Sequence, residues 1–267
     1  CALAGCTGLI GGQDGKSGVA RSSASCTVDP DSGRVVARRL SRTEYNNTVR
    51  DLFTFDTGRP ADAFPADVTG GDVENNNGLT VTDLFFQKHD EAVTRLAALA
   101  VGSGFIGCDP NTMDRRQCAQ QTLAPFMTRA WRRPVTPEEV DSVVGYLDVV
   151  AKEPGELDKF RQAIKLGIQH VLMSPNFLFR FELLDEPTSP TPQALKSYDL
   201  ANRLSYFIYD SMPDTALFAA AEAGKLTTPV ELEAEGKRML ADPKGKALAD
   251  KRANGWLGTD KVDLVNP

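Results

Sequence analysis

No Cys-x-x-Cys pair occurs in this sequence, and its two histidines, His89 and His170, stand alone. A tetrahedral zinc site or a covalently attached haem therefore has no ligands at a recognisable spacing. No apolar run approaches the roughly 18 residues that a spanning helix requires, so attachment to a membrane has to come through a lipid. Positive charge is also in short supply. Lys and Arg number 30 against 36 Asp and Glu, a net charge of -6, with a pI near 5.1. That balance creates no field to gather nucleic acid, which is not expected as a partner. Alternating apolar and polar runs are missing, which leaves no competing strand pattern. So is the Gly-x-Ser-x-Gly elbow that would present a serine nucleophile. Carboxylates are abundant, but no spacing selects a pair for acid–base work. The residues indicate no catalytic constellation.

What is present is a chain of 267 residues, 41% hydrophobic and 25% charged, enough to bury one or two sizeable cores. Near its start, Leu3-Ala4-Gly5-Cys6 has the form of a lipobox, the signal cut immediately before a cysteine that then carries lipid. Cys6 is the expected lipidation site. Cys1 is the alternative for a chain already processed. The expected location is outside the cytoplasmic membrane of a Gram-negative bacterium, lipid-anchored at the outer membrane or cell surface; Thr7-Gly8, with no aspartate after the cysteine, is compatible with this. Residues 7–33, rich in Gly, Ser, Asp and Lys, have the composition of a flexible linker. Of the remaining cysteines, Cys108 and Cys118 flank a short loop and in an exported protein read as a disulfide. Closing that loop constrains the unfolded chain by about 2–3 kcal/mol. Cys26 is left odd, either free or joined elsewhere.

From residue 34 the periodicity is helical, and the expected fold class is all-α, an irregular multi-helix bundle with long loops. Ser41-Arg42-Thr43-Glu44 is a capping box that opens a helix to about Phe53, with Tyr45, Val49, Leu52 and Phe53 at helical spacing and Arg42, Asn46 and Arg50 on another face. Residues 54–80 lack periodicity. The Asn-rich part of this loop, with Asp72, Asn75, Asn76 and Asn77, does not match the spacing of a calcium loop and serves turns better; no metal site is expected. Further helices are expected from Thr80 to Gly102, over 114–132 with a kink or break at Pro125, over 137–151 behind Thr136-Pro137-Glu138-Glu139, and over 156–173 until Pro175. The Pro-rich stretch 187–192 marks a boundary between a domain at 34–186 and a C-terminal module at 187–267. That module continues in helices around Tyr198 to Ile208 and over 214–223, 229–241 and 243–257.

Arg129-Ala130-Trp131-Arg132-Arg133 pairs cations with an indole. Such a run caps a helix end against its dipole; alternatively Trp131, Arg132 and Arg133 join the Asn-rich loop in a recognition surface for a protein partner. Arg38, Arg39 and Arg42 read as surface charges. Phe177, Phe179 and Phe181 with Tyr206, Phe207 and Tyr209 read as core, the first three in a short extended segment. His170 reads as a satisfied core residue.

Three segments taken together resemble a family. They are Arg38-Arg39-Leu40-Ser41-Arg42-Thr43-Glu44-Tyr45 through Phe53 with Phe64-Pro65-Ala66-Asp67; Cys118 through Thr136; and Leu172-Met173-Ser174-Pro175-Asn176-Phe177-Leu178-Phe179-Arg180 with Leu200 through Ile208 and Met212-Pro213-Asp214. The combination is similar to the helical modules of cytochrome c-associated proteins of planctomycetes and myxobacteria. The resemblance implies a non-catalytic helical region that positions a redox domain or its partner. It implies no cofactor within these residues, any covalent haem c belonging to a further C-terminal region. The alternative is a haem-free cell-surface or periplasmic scaffold lipoprotein.

Overall fold

The structure is a computed structural model that describes residues 37–67, 79–152, 158–182, 186, 191 and 193–253, the side chains of 252 and 253 excepted. Cys1, Cys6, Cys26, the linker and the Asn-rich stretch with Asp72, Asn75, Asn76 and Asn77 lie outside the described residues. The fold is all-α. Its helices are α1 (Arg42–Leu52), α2 (Asp83–Gly102), α3 (Arg115–Trp131), α4 (Pro137–Val144), α5 (Tyr146–Ala151), α6 (Lys159–Met173), α7 (Pro175–Leu178), α8 (Ser197–Ile208), α9 (Thr215–Glu222), α10 (Pro229–Ala241) and α11 (Lys246–Leu248). One antiparallel pair joins β1 (Arg38–Arg39) to β2 (Phe179–Arg180), with Arg38 opposite Arg180 and Arg39 opposite Phe179.

Local chemistry sets the helix starts. Ser41, Thr136 and Thr228 each close a capping box with the glutamate three residues on, which satisfies two backbone donors at each helix N-terminus. Single side-chain caps from Thr82, Asp114, Asp158 and Asp214 open α2, α3, α6 and α9. Three expectations for helix interiors are corrected. Of the kink or break expected at Pro125, the break does not occur, and α3 continues through it, forfeiting the one backbone bond that proline cannot donate. The run expected over 137–151 divides at Gly145, which turns from α4 into α5. Of the helix expected over 243–257, residues 254–257 lie outside the described residues, and the rest is a 3-10 turn at Pro243–Gly245, then α11, then a wide helical turn at Ala249–Ala253. There Gly245 presses against the preceding helix so closely that a Cβ would stand 2.8 Å from the Met239 carbonyl oxygen.

Every described residue falls in one unit that begins at Val35, with two apolar cores. The larger gathers α1, α2, α3, α4, α6 and α7 around Tyr45, Leu96, Leu123, Ile164, Ile168 and Phe177, and reaches into the third segment at Tyr206 and Met212. The smaller holds Ala201, Ile208, Tyr209, Leu217, Leu226 and Met239 from α8 to α10. Helices α2 and α6 make the most extensive packing contact. Gly167 on α6 admits Leu123 and Val143, whose side chains approach to 3.0 and 3.1 Å of where its Cβ would be. The aromatic stripe divides: Phe177, Tyr206 and Tyr209 are buried, whereas Phe181 and Phe207 are exposed. Both exposed rings sit where the chain leaves a core element, at the end of β2 and on the outer side of α8.

Candidate functional site

Helix α1 carries three faces. Tyr45, Val49 and Leu52 enter the larger core. Arg42 and Asn46 hold the loop that follows: Arg42 donates from its backbone N–H to Asp67 at 2.7 Å and from Nε to the Ala61 carbonyl at 2.9 Å, while Asn46 bonds the Ala61 N–H and the Asp62 carboxylate. The third face consists of Glu44, Asn47, Thr48 and Asp51. These positions recur at the three- and four-residue spacing of one helical stripe, but every member is polar, and Glu44 and Thr48 are fully buried.

This polar stripe is where three parts of the chain meet. Glu44 divides its two oxygens between local and distant structure. Oε2 accepts from the Ser41 N–H at 2.9 Å, completing the capping box, and Oε1 lies 3.1 Å from the guanidinium of Arg180. Thr48 Oγ1 is 2.9 Å from the Tyr206 hydroxyl, which accepts from Arg132 Nη1 at 3.3 Å. Asn47 donates to the Asp210 carbonyl. Asp51 accepts from Ser211 Oγ at 2.7 Å and pairs with Lys244 at 3.0 Å. Lys251 pairs with Asp210 and stands 3.8 Å from Glu44. Arg180 also lies over the Tyr206 ring, 4.7 Å from its centroid.

Arg132 anchors the arrangement. It ends α3 in the left-handed region at φ 58°, a backbone conformation that non-glycine residues seldom adopt. Its side chain is turned inward, with 2% of its surface exposed. Nη2 donates to the carbonyls of Asn176, Phe177 and Phe179 at 2.8–3.0 Å, which would otherwise be open acceptors at the end of α7. Burial draws the Arg132 pKa below its usual value, although arginine stays charged at any pH the fold meets. Burial also raises the Tyr206 pKa, so its hydroxyl is a neutral donor and acceptor. At Asp51 burial opposes ionisation, yet hydrogen bonds from Arg50, Ser211 and Lys244 outweigh it and hold the pKa below the usual carboxylate value.

A second buried polar group lies on the other side of α1. His89 sits among Tyr45, Phe64 and Phe85, with ring centroids 5.5–6.0 Å away. Burial, reinforced by the nearby Arg39 charge, lowers its pKa to about 4. Arg39 is corrected from surface to interior: its guanidinium stacks 4.0 Å above the Phe85 ring and pairs with Asp67 at 3.2 Å. His170 is half-buried, its Nδ1 3.2 Å from the Tyr146 hydroxyl.

The proposed recognition surface at the end of α3 is also corrected. Trp131 is buried, its Nε1 donating to the Val171 carbonyl at 3.2 Å, and Arg132 points into the interior. Arg133 remains accessible, but Glu139 holds it through two bonds of 3.0 and 2.7 Å and it lies over the Trp131 ring. The run Trp131-Arg132-Arg133 is thus a structural corner, for which three carbonyls and one carboxylate are the reason. Cys108 and Cys118 form the expected disulfide, with their Cα atoms 5.8 Å apart. It fastens the loop after α2 to the first turn of α3. Among the described residues no group of three or more His, Cys, Asp and Glu side chains is arranged to hold a metal ion, and no helix is long and apolar enough to cross a membrane.

Fold and site together define an all-α protein whose parts are joined at a buried ionic centre. Three family models match it in chain order: PSD3, protein of unknown function (DUF1587), over residues 38–102; PSD5, protein of unknown function (DUF1595), over 118–182; and PSD4, protein of unknown function (DUF1592), over 195–267. No curated protein and no solved structure matches the chain. The ionic centre draws on all three matched segments: Glu44, Asn47, Thr48 and Asp51 from the first, Arg132 and Arg180 from the second, and Tyr206, Asp210, Ser211, Lys244 and Lys251 from the third.

Proposed function

We propose that this chain is the non-catalytic helical region of an exported, lipid-anchored, cytochrome c-associated protein of the planctomycete and myxobacterial type, and that it positions a redox domain or that domain's partner. The observation that carries this reading is the pairing at the ionic centre. Each of the two α1 carboxylates facing the junction, Glu44 and Asp51, meets a cation or donor from another matched segment.

An arrangement of that kind holds three segments in one orientation. Net stability from a buried ion pair is small, because desolvation offsets the Coulomb attraction, whereas a broken pair leaves a costly bare charge. Misdocked segments are therefore penalised strongly, which suits a frame that presents something else at a fixed place. The lipobox at Leu3-Ala4-Gly5-Cys6 supplies the anchor in this reading, and the resemblance of the three segments supplies the redox association.

The test is the intact mass of the native protein extracted from its own membranes, with a haem stain on the same sample. A lipid-bearing species containing covalent haem, or one co-purifying with a c-type cytochrome, is the expected result. A lipid-bearing, haem-free species with no cytochrome alongside would replace this reading with the haem-free scaffold lipoprotein. A species without lipid would remove the anchor.

A further inference from the structure

The stretch Asp242–Lys251 is held to the rest of the fold in an unusual way. Gly245 is its one fully buried residue; Ala247 and Leu248 are half-buried, and Lys246, Ala249 and Asp250 are exposed. Among the described residues, neither apolar core includes any residue beyond Met239. The hydrophobic effect, which scales with apolar area removed from water, thus gives this stretch little to hold it.

Two of its side chains nevertheless cross to α1. Lys244 Nζ lies 3.0 Å from Asp51 Oδ2 and 5.9 Å from the centre of the Tyr209 ring. Lys251 Nζ pairs with Asp210 and stands 3.8 Å from Glu44 Oε1. The lysines are seven residues apart, and so are the carboxylates, with the order reversed: 244 faces 51, and 251 faces 44. Seven residues are about two helical turns, or roughly 10 Å along α1, so the two contacts grip the helix near both ends of its polar stripe.

We infer that Asp242–Lys251 is a charge-held clasp that opens from α1 while both apolar cores remain folded. Opening strands neither carboxylate of α1. Glu44 keeps Arg180 at 3.1 Å, and Asp51 keeps Ser211 at 2.7 Å and Arg50 at 3.1 Å. Lys244 is 41% exposed, so mobile ions reach that contact, and salt screens accessible pairs far more than buried ones. What opening uncovers is the acidic side of the ionic centre. The clasp is thereby a device by which ionic strength, or a competing cation, acts on the junction of the three segments.

Amide hydrogen exchange read by mass spectrometry on the full chain tests this, at about 50 mM and 1 M NaCl, a range over which the screening length falls several-fold. Amides of 246–253 in the wild type should exchange at least about tenfold faster in high salt, with α2 and α6 unchanged, since local opening is independent of the global transition. The variant Lys244→Met with Lys251→Met should show that acceleration already at low salt. Replacing both lysines by arginine should restore protection. Lys246→Met serves as the control, because Lys246 makes only an exposed 3.9 Å pair with Asp250, and it should behave as wild type. Salt-independent exchange of 246–253 in the wild type would overturn the inference, as would equal acceleration in α2 and α6, or in the Lys246 variant.

Discussion

The hydroxyls of Thr48 and Tyr206 meet at 2.9 Å across 158 residues of chain. Arg132 donates to the same Tyr206 oxygen, which leaves the tyrosine proton free to be given to Thr48. Three matched segments thus join in one line of hydrogen bonds, from α1 through α8 to the end of α3. The line is buried throughout, where an unmet polar group costs most.

A double-mutant cycle on Thr48→Val and Tyr206→Phe should reveal this coupling. Each single change is expected to cost about 1–2 kcal/mol, with a coupling near 1 kcal/mol, as for a buried hydrogen bond whose partner is left unmet. Urea unfolding of the four proteins measures it. Purely additive costs would mean that the two hydroxyls do not depend on each other.

Arg132→Ala should destabilise the fold by about 3 kcal/mol or more, because three carbonyls and one buried hydroxyl lose their donor. Arg132→Lys should recover less than half of that loss, since an ammonium cannot reproduce the planar fork. Chemical denaturation of both variants checks the ordering. If the lysine variant matches the wild type, the guanidinium geometry is not what matters at this corner.

Acid should weaken the fold through His89. Its folded pKa is about 4, below the value of about 6.5 for an unperturbed histidine, so the unfolded chain binds the proton more readily. This contribution is complete above about pH 6.5 and disappears as the pH falls towards 4, a loss of about 2–3 kcal/mol by pH 4.5. His89→Leu should lose that much less between pH 7 and pH 4.5. Equal acid sensitivity in the two proteins would place the effect elsewhere.

Removing the Cys108–Cys118 disulfide by paired alanine substitution should cost about 2–3 kcal/mol, as expected for a loop of this size. Both sulfurs are held in the disulfide and neither is a free thiol, so alkylation of the native, unreduced protein should label neither of these two cysteines. Peptide mass mapping with and without reductant provides the check.

Helix starts were legible in the sequence because a capping box is a local pattern. Ser41 with Glu44 forms the box its spacing implies, and Thr136 caps the helix that its Pro and acids mark. The disulfide was legible for the same reason, its two cysteines being ten residues apart. The ionic centre was not. Glu44, Asn47, Thr48 and Asp51 form a polar stripe at helical spacing, and such a stripe normally faces water; here its covering comes from residues far along the chain. Only one half of Glu44 could be read locally: the oxygen that caps α1, not the one that meets Arg180. Arg39 and Arg132 were misjudged similarly. An arginine looks exposed until the aromatic face, carboxylate or carbonyls that receive it are placed by tertiary packing. At Pro125 the local rule overstated the damage, since packing on both sides of α3 holds the helix together around one missing bond.

The short pairing of Arg38–Arg39 with Phe179–Arg180 has a mechanical consequence. Tension arriving from the N-terminal side of the chain enters the fold at β1 and passes across that ladder, and through the Leu40 N–H bonded to the Leu178 carbonyl, directly into the end of α7. There the three carbonyls held by Arg132 take up the load. Helix α1 and its polar stripe lie downstream of this point, so a pull on the N-terminal side is borne by the second segment before it can disturb the seat of the third.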